Sequence, residues 1–180
     1  MRELGETTSL PRRVRTGEVV YEDKFQRLYR AFADFDGFTK EYLVSDRGRR
    51  AAVLVVRDDH ALLVRQYRLL INDISLEIPG GRVGDGESFE EAAVRECLEE
   101  TGIRCRELQP LIAFQPGLDT LKNSTRVFHT STFDVERSVE SGTHAWIPLK
   151  RSLDMVFEQQ IIDSLSVITL LAYYAVTAPR

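Results

Sequence analysis

The chain has 180 residues, 43% hydrophobic and 29% charged, the composition of a globular protein with enough apolar material for one core and a small appendage. A net charge of −4 and a pI near 5.5 leave no broad basic surface, which excludes nucleic acid as the expected partner. Two cysteines are too few for a disulfide scaffold, the N-terminus lacks the apolar core of a signal peptide, and residues 161–178 are interrupted by Asp163, Ser164, Ser166 and Thr169, so a cytoplasmic protein with no membrane partner is expected.

In chain order, residues 1–16 read as a flexible tail whose Arg12, Arg13 and Arg15 are solvated charges. Residues 28–35 and 38–44 flank Asp36-Gly37, a two-residue hairpin signal, within an N-terminal β segment over 17–48. Residues 51–56 and 61–67 flank Asp58-Asp59 as a second hairpin, so continuously apolar that both faces of its strands should be covered. A helix follows, then strands over 108–114, 125–133 and 144–147 and helices over 153–160 and 164–176. The expectation is an α+β fold with a mixed sheet between helices over 49–180 and a small antiparallel β segment before it.

The helix is the most informative stretch. Ser88 with Glu91 three residues later forms an S-x-x-E capping box that starts it at Phe89. Gly102 marks its stop after Thr101, with Ile103 placed to touch Leu98. Phe89, Ala93 and Cys97, flanked by Val94 and Leu98, make the apolar face. From Glu87 to Glu100 the segment carries six acids against one arginine. Glu96, Glu99 and Glu100 stand in the last turn, where negative charge opposes the helix dipole, and Glu96 and Glu100 are i,i+4 like charges costing roughly 0.2–0.5 kcal/mol. Arg95 reaches Glu91 and Glu99 at i−4 and i+4, which leaves Glu96 and Glu100 for a cation. Oxygen ligands on a rigid helix suit a hard ion such as Mg²⁺ or Mn²⁺ that shares its shell with substrate phosphates.

Gly81, Glu87, Arg95, Glu96, Cys97, Glu99, Glu100, Gly102 and Ile103 fit the pattern G-x5-E-x7-R-E-U-x-E-E-x-G-U and so resemble the signature box of the Nudix hydrolases. Cys97 stands at an aliphatic position, which a buried thiol fills as a small hydrophobe. Outside the box, Arg65-Gln66-Tyr67-Arg68, Leu76-Glu77-Ile78-Pro79-Gly80-Gly81 and Phe114-Gln115-Pro116-Gly117 resemble the ADP-ribose pyrophosphatase branch, which includes GDP-mannose and other nucleotide-sugar pyrophosphatases. That resemblance implies an α/β/α sandwich, a homodimer built through the N-terminal strands, and Mg²⁺-dependent hydrolysis of a nucleoside diphosphate-sugar, with ADP-ribose going to AMP and ribose 5-phosphate.

It also implies roles. Glu96, Glu99, Glu100 and the Gly80 carbonyl are metal ligands, while Glu87 and Arg95 orient that shell. Arg65, Arg68, Tyr67, Glu77 and Pro116 are substrate-binding candidates. A guanidinium clamps phosphate or hydroxyl, Tyr67 supports a base or sugar, and Glu77 either faces the metal or pairs with Arg95 or Arg68. The general base is expected on the loop before the last strand, with Glu140 first and Glu136 second. Two rivals stand beside this reading: a Nudix hydrolase of nucleoside triphosphates, NADH or coenzyme A, and a non-enzymatic nucleotide-sensing module.

Overall fold

The structure, a computed structural model, describes residues 10–138, 140 and 142–178, in two compact units. The first comprises described residues up to Gly48 together with 117–123. Strands β1 (Arg13–Glu22), β2 (Arg27–Phe35) and β3 (Phe38–Asp46) form an antiparallel meander. A short strand from the later segment, Leu121–Lys122, lies parallel to β3. Phe35 pairs with Phe38 across the Asp36-Gly37 turn, with their rings stacked at 4.9 Å.

The flexible tail expected over 1–16 needs correction. Residues 1–9 lie outside the described residues, but β1 already begins at Arg13. Arg15 holds Asp34 on β2 through two hydrogen bonds of 3.1 and 3.0 Å, and Arg12 pairs with Asp36. Arg12 and Arg15 of what reads as a solvated basic run thus meet Asp36 in the turn and Asp34 on β2, while their side chains stay exposed.

The second unit comprises 49–116 and 124–178. Strands β4 (Arg50–Arg57) and β5 (His60–Arg68) are joined by Asp58 and Asp59, both left-handed with φ of 47° and 59°, the twist a two-residue hairpin turn needs. The two strands pair only at Val56 with Ala61 and Arg57 with His60, and then part. The fork is filled by β6 (Asp73–Glu77), paired to β5, and β7 (Gly80–Arg82), paired to β4. Neither short strand is visible in the hydrophobic pattern. Helix α1 (Phe89–Thr101) follows with the bounds expected for it.

After α1 come β8 (Ile103–Arg106) and β9 (Gln109–Phe114), and then β10, the Leu121–Lys122 strand of the first unit. The strand expected over 125–133 is in fact two, β11 (Thr125–Thr130) and β12 (Thr132–Val135). The Thr130 hydroxyl accepts from the Thr132 N–H at 3.0 Å and donates to the Arg106 carbonyl at 2.6 Å, which turns the chain out of the large sheet. β11 runs parallel to β4, and β12 pairs with β8. The main sheet has the order β13-β5-β4-β11-β9, where β13 is His144–Pro148.

Burial on β4 explains the layering. Ala51, Val53 and Val55 face a core shared with Ala93 and Cys97 of α1. Ala52, Leu54 and Val56 face a second core with Met155 of α2 (Leu149–Phe157) and with Leu165 and Leu170 of α3 (Ser164–Thr177). A strand that alternates between two cores is apolar at every position, and each fully buried large side chain contributes roughly 1.5–3 kcal/mol. Helix α2 starts at Leu149 rather than 153, directly after β13, because the apolar run Trp146-Ile147-Pro148-Leu149 conceals the junction. It ends at Phe157 because Gln159 takes a left-handed conformation, φ 59°. Among the described residues no helix is long and apolar enough to cross a membrane.

Candidate active site

Helix α1 is held at both ends. The Glu91 N–H donates to the Ser88 hydroxyl at 3.1 Å, and the Ser88 N–H donates to the Glu91 carboxylate at 2.8 Å, so Glu91 is spent on the cap. Gly102 closes the other end with φ 73° and its N–H on the Leu98 carbonyl at 2.9 Å. A Cβ here would run into the Arg137 carbonyl, so glycine is required both by φ and by a close backbone approach. The last turn has no basic residue of its own. Arg137 supplies one from the loop after β12, donating to the Leu98 and Glu99 carbonyls at 3.0 and 2.9 Å.

Arg95 gathers the box acids differently from the sequence expectation. It does not pair with Glu91. It holds Glu87 through two contacts of 2.8 and 3.1 Å, Glu96 at 2.7 Å, Glu99 at 3.3 Å and the Arg82 carbonyl at 2.8 Å. Hydrogen bonding to Glu87 foremost, and then to Glu96, raises the Arg95 pKa. The Arg95 hydrogen bond in turn holds Glu87 below the usual carboxylate range. Glu96 is therefore not free in this arrangement. Its carboxylate lies where a Cβ on Gly81 would be, which accounts for the glycine that opens the box.

Among the described residues Glu100 forms no ion pair, and the Arg50 charge acts on it only at a distance. The Gly80 N–H donates to Oε2 at 3.1 Å, and the Gln66 amide donates to Oε1 at 2.5 Å. Burial pushes the Glu100 pKa up against those two hydrogen bonds, with the Glu96 charge adding to the rise. Glu77, only 3% exposed, is the opposite case. Burial pushes it up, but Arg68 overcomes that with a two-point ion pair, Nε to Oε1 at 2.6 Å and Nη2 to Oε2, so its pKa is lowered. Of the two pairings open to Glu77, Arg68 is the one formed.

The RQYR stretch divides by strand alternation. Gln66 and Arg68 share one face of β5 and reach Glu100 and Glu77, while Arg65 and Tyr67 point to the other face and are exposed. The Tyr67 hydroxyl donates to Asn72 at 2.9 Å. Of the three substrate-binding candidates on this strand, Arg68 joins the acids, while Arg65 and Tyr67 lie on the opposite face. Gln66, which the sequence reading passed over, takes its place beside Glu100, and the period of two was the signal that could have found it. Pro116 is an exposed residue after β9.

The candidate bases also separate. Glu136 is engaged by Arg104, which lowers its pKa, and its N–H donates to the Gly102 carbonyl at 3.0 Å. Glu140 is exposed, and its carbonyl accepts from the Thr143 N–H and hydroxyl at 3.3 and 2.9 Å. The Thr143 carbonyl accepts from the Arg65 N–H at 2.7 Å, hanging this loop on β5 one residue from Gln66.

The side chains of Glu96, Glu99 and Glu100 offer oxygen, which fits a hard divalent ion. Among the described residues, however, no three acids, histidines or cysteines stand close enough together to enclose one as arranged, and Arg95, Gln66 and Gly80 hydrogen-bond to the carboxylates. Glu96, Glu99 and Glu100 would have to exchange those donors for the ion. An open groove of about 1240 Å³ on the other flank of α1 includes Glu87 and Arg95 but not Glu96, Glu99, Glu100 or Gln66. The carboxylate chemistry therefore locates the site better than that hollow does.

Comparison with known proteins shows the family and the fold. The NUDIX domain family matches residues 46–158. A "CMP-5'-(N-acetyl-N-hydroxy-3-aminopropyl)phosphonate hydrolase" of Streptomyces rubellomurinus is 29% identical over 140 residues, covering 74% of this chain and 68% of that protein. An "ADP-ribose pyrophosphatase" of Bacillus subtilis is 26% identical over 132 residues, covering 70% and 71%. A crystal structure of an "ADP compounds hydrolase" superposes with a TM-score of 0.77 at 20% identity, covering 94% of this chain and 96% of that one, a likeness of fold.

Proposed function

This chain belongs to the Nudix hydrolase family, and from that premise we propose that it cleaves the diphosphate bond of a nucleoside diphosphate-sugar, with ADP-ribose going to AMP and ribose 5-phosphate as the first candidate reaction. The observation that carries the reading is the convergence of the acid-rich end of α1 with Gln66, Gly80 and the Arg68–Glu77 pair at the fork between β4 and β5. The names of the relatives support it, since an ADP-ribose pyrophosphatase and a hydrolase of a CMP-linked phosphonate both act on a nucleotide joined through phosphorus.

Nudix hydrolases generally use divalent metal ions, and we assign Glu96, Glu99 and Glu100 as the residues that would hold Mg²⁺ or Mn²⁺ here. Held there, such an ion would neutralise charge on the diphosphate and make water easier to deprotonate. Arg95, anchored by Glu87, keeps Glu96 and Glu99 on the correct side of α1. Glu140 is the first choice to take the proton of the attacking water, being exposed on the loop that Thr143 hangs beside Gln66. A homodimer belongs to this proposal, supported by Val14, Val20 and Phe25, which the first unit leaves 68%, 51% and 65% exposed.

The test is a phosphate-coupled assay with ADP-ribose, GDP-mannose, UDP-glucose and a CMP-linked phosphonate, each with Mg²⁺ and with Mn²⁺. Turnover of ADP-ribose above the others is the expected result. Preference for GDP-mannose would move the substrate while keeping the reaction, and no turnover of any of them would sink the reading.

A further inference from the structure

We propose that Gln66 is a positioning residue of this site, whose neutral side-chain amide fixes the Glu100 carboxylate so that its unused lone pairs face the divalent ion. The inference rests on the reading of Glu100 as a metal ligand given above.

The geometry is specific. A carboxylate has two oxygens, each able to accept about two hydrogen bonds. In Glu100 one oxygen is taken by Gln66 on β5 at 2.5 Å and the other by the Gly80 N–H on β7 at 3.1 Å. The two donors come from opposite arms of the fork, so the plane of the carboxylate is set from both sides while one acceptor direction on each oxygen stays open. Glutamate turns about several side-chain bonds, and fixing the group beforehand removes an ordering cost that a metal ion would otherwise meet on binding.

The chemical type of residue 66 matters as much as its reach. Two residues along the same strand face, Arg68 grips both oxygens of Glu77 and cancels its charge. An arginine or lysine at 66 would do the same to Glu100 and compete with the ion. A glutamate could not donate, and an apolar residue would leave Glu100 half-buried with a single hydrogen bond. Glutamine alone among residues of that length donates a hydrogen bond and adds no charge, so it orients the ligand without displacing what the ligand is to bind.

The experiment measures Mn²⁺ affinity from the free-ion resonance signal on the full chain, comparing wild type with Gln66→Met, Gln66→Lys, Glu100→Gln and the Gln66→Met/Glu100→Gln double variant, with thermal melting in EDTA alongside. Gln66→Met is expected to weaken Mn²⁺ binding about 10- to 100-fold, the usual effect of losing a group that orients a ligand. Gln66→Lys is expected to melt at or above the wild-type temperature and yet bind Mn²⁺ more weakly still, because it holds Glu100 while neutralising it. In the Glu100→Gln background, Gln66→Met is expected to add nothing. If Gln66 is only a strut between β5 and α1, Gln66→Lys keeps wild-type affinity, and that result overturns the proposal while leaving the proposed function intact. Wild-type affinity in Glu100→Gln overturns both.

Discussion

Two acids at the fork, Glu77 buried and Glu100 half-buried, are treated in opposite ways. Glu77, at the end of β6, is given a guanidinium that takes both its oxygens, and its pKa falls. Glu100, in the last turn of α1, is given an amide and a backbone N–H, neither of them charged, and its pKa rises. An acid whose charge is cancelled within the chain is committed to holding structure. One that is oriented but not neutralised keeps its charge available, which is why the proposed metal site is built on Glu100 and not on Glu77.

The comparison breaks first on activity. Glu100→Gln should fold and lose about a thousand-fold in kcat on ADP-ribose, the equivalent of about 4 kcal/mol of transition-state stabilisation. Equal turnover in a steady-state assay would remove Glu100 from the metal site. On the other side, Arg68→Met should cost about 2 kcal/mol in urea denaturation, since it strands a buried carboxylate. The loss should fall short of that for a fully enclosed pair because the Arg68 side chain is 44% exposed. An unchanged midpoint would show that water already carries the Glu77 charge.

A pH series in EDTA sharpens the contrast. Glu100 is raised above its ordinary 4.5, so its charge is penalised in the folded chain, most at pH above its folded value and not at all below the unfolded one. The metal-free wild type should therefore gain stability relative to Glu100→Gln as pH falls through that window toward 4.5. Glu77 is lowered, so what it contributes is complete above 4.5 and lost as pH falls through its folded value; relative to Glu77→Gln the wild type should lose stability there. Parallel curves for the two variants would contradict the assignment. The smallest effect expected is that of Arg137→Ala, about 1 kcal/mol in the same denaturation assay, from the loss of its hydrogen bonds to the end of α1.

How much of this was legible beforehand depended on the range of the interaction. Helix α1 could be read to its terminal residues because Ser88, Glu91 and Gly102 act within a turn of themselves. The Asp36-Gly37 and Asp58-Asp59 turns were legible for the same reason. Strands β6 and β7 were hidden because they are short and take their partners from the two arms of a hairpin that opens, a tertiary fact with no periodic signature. Arg95 was placed on Glu91 by helical spacing, but Glu91 had a better donor in the Ser88 backbone, and Glu87, outside the helix, drew the guanidinium instead. Arg137 on the α1 carbonyls could not be foreseen at all, because nothing in a loop sequence says which helix end it will meet.

That last contact carries a consequence for how such a site can diversify. Arg137 and the Glu136 N–H grip α1 and Gly102 through main-chain oxygens, never through side chains. The anchor is thus indifferent to which residues stand at 98 and 99. Mutations that rework the acids of the helix leave the loop moored, and mutations that rework the loop beyond Arg137 leave the acids where they are. The helix acids and the loop that carries Glu140 can therefore change one at a time.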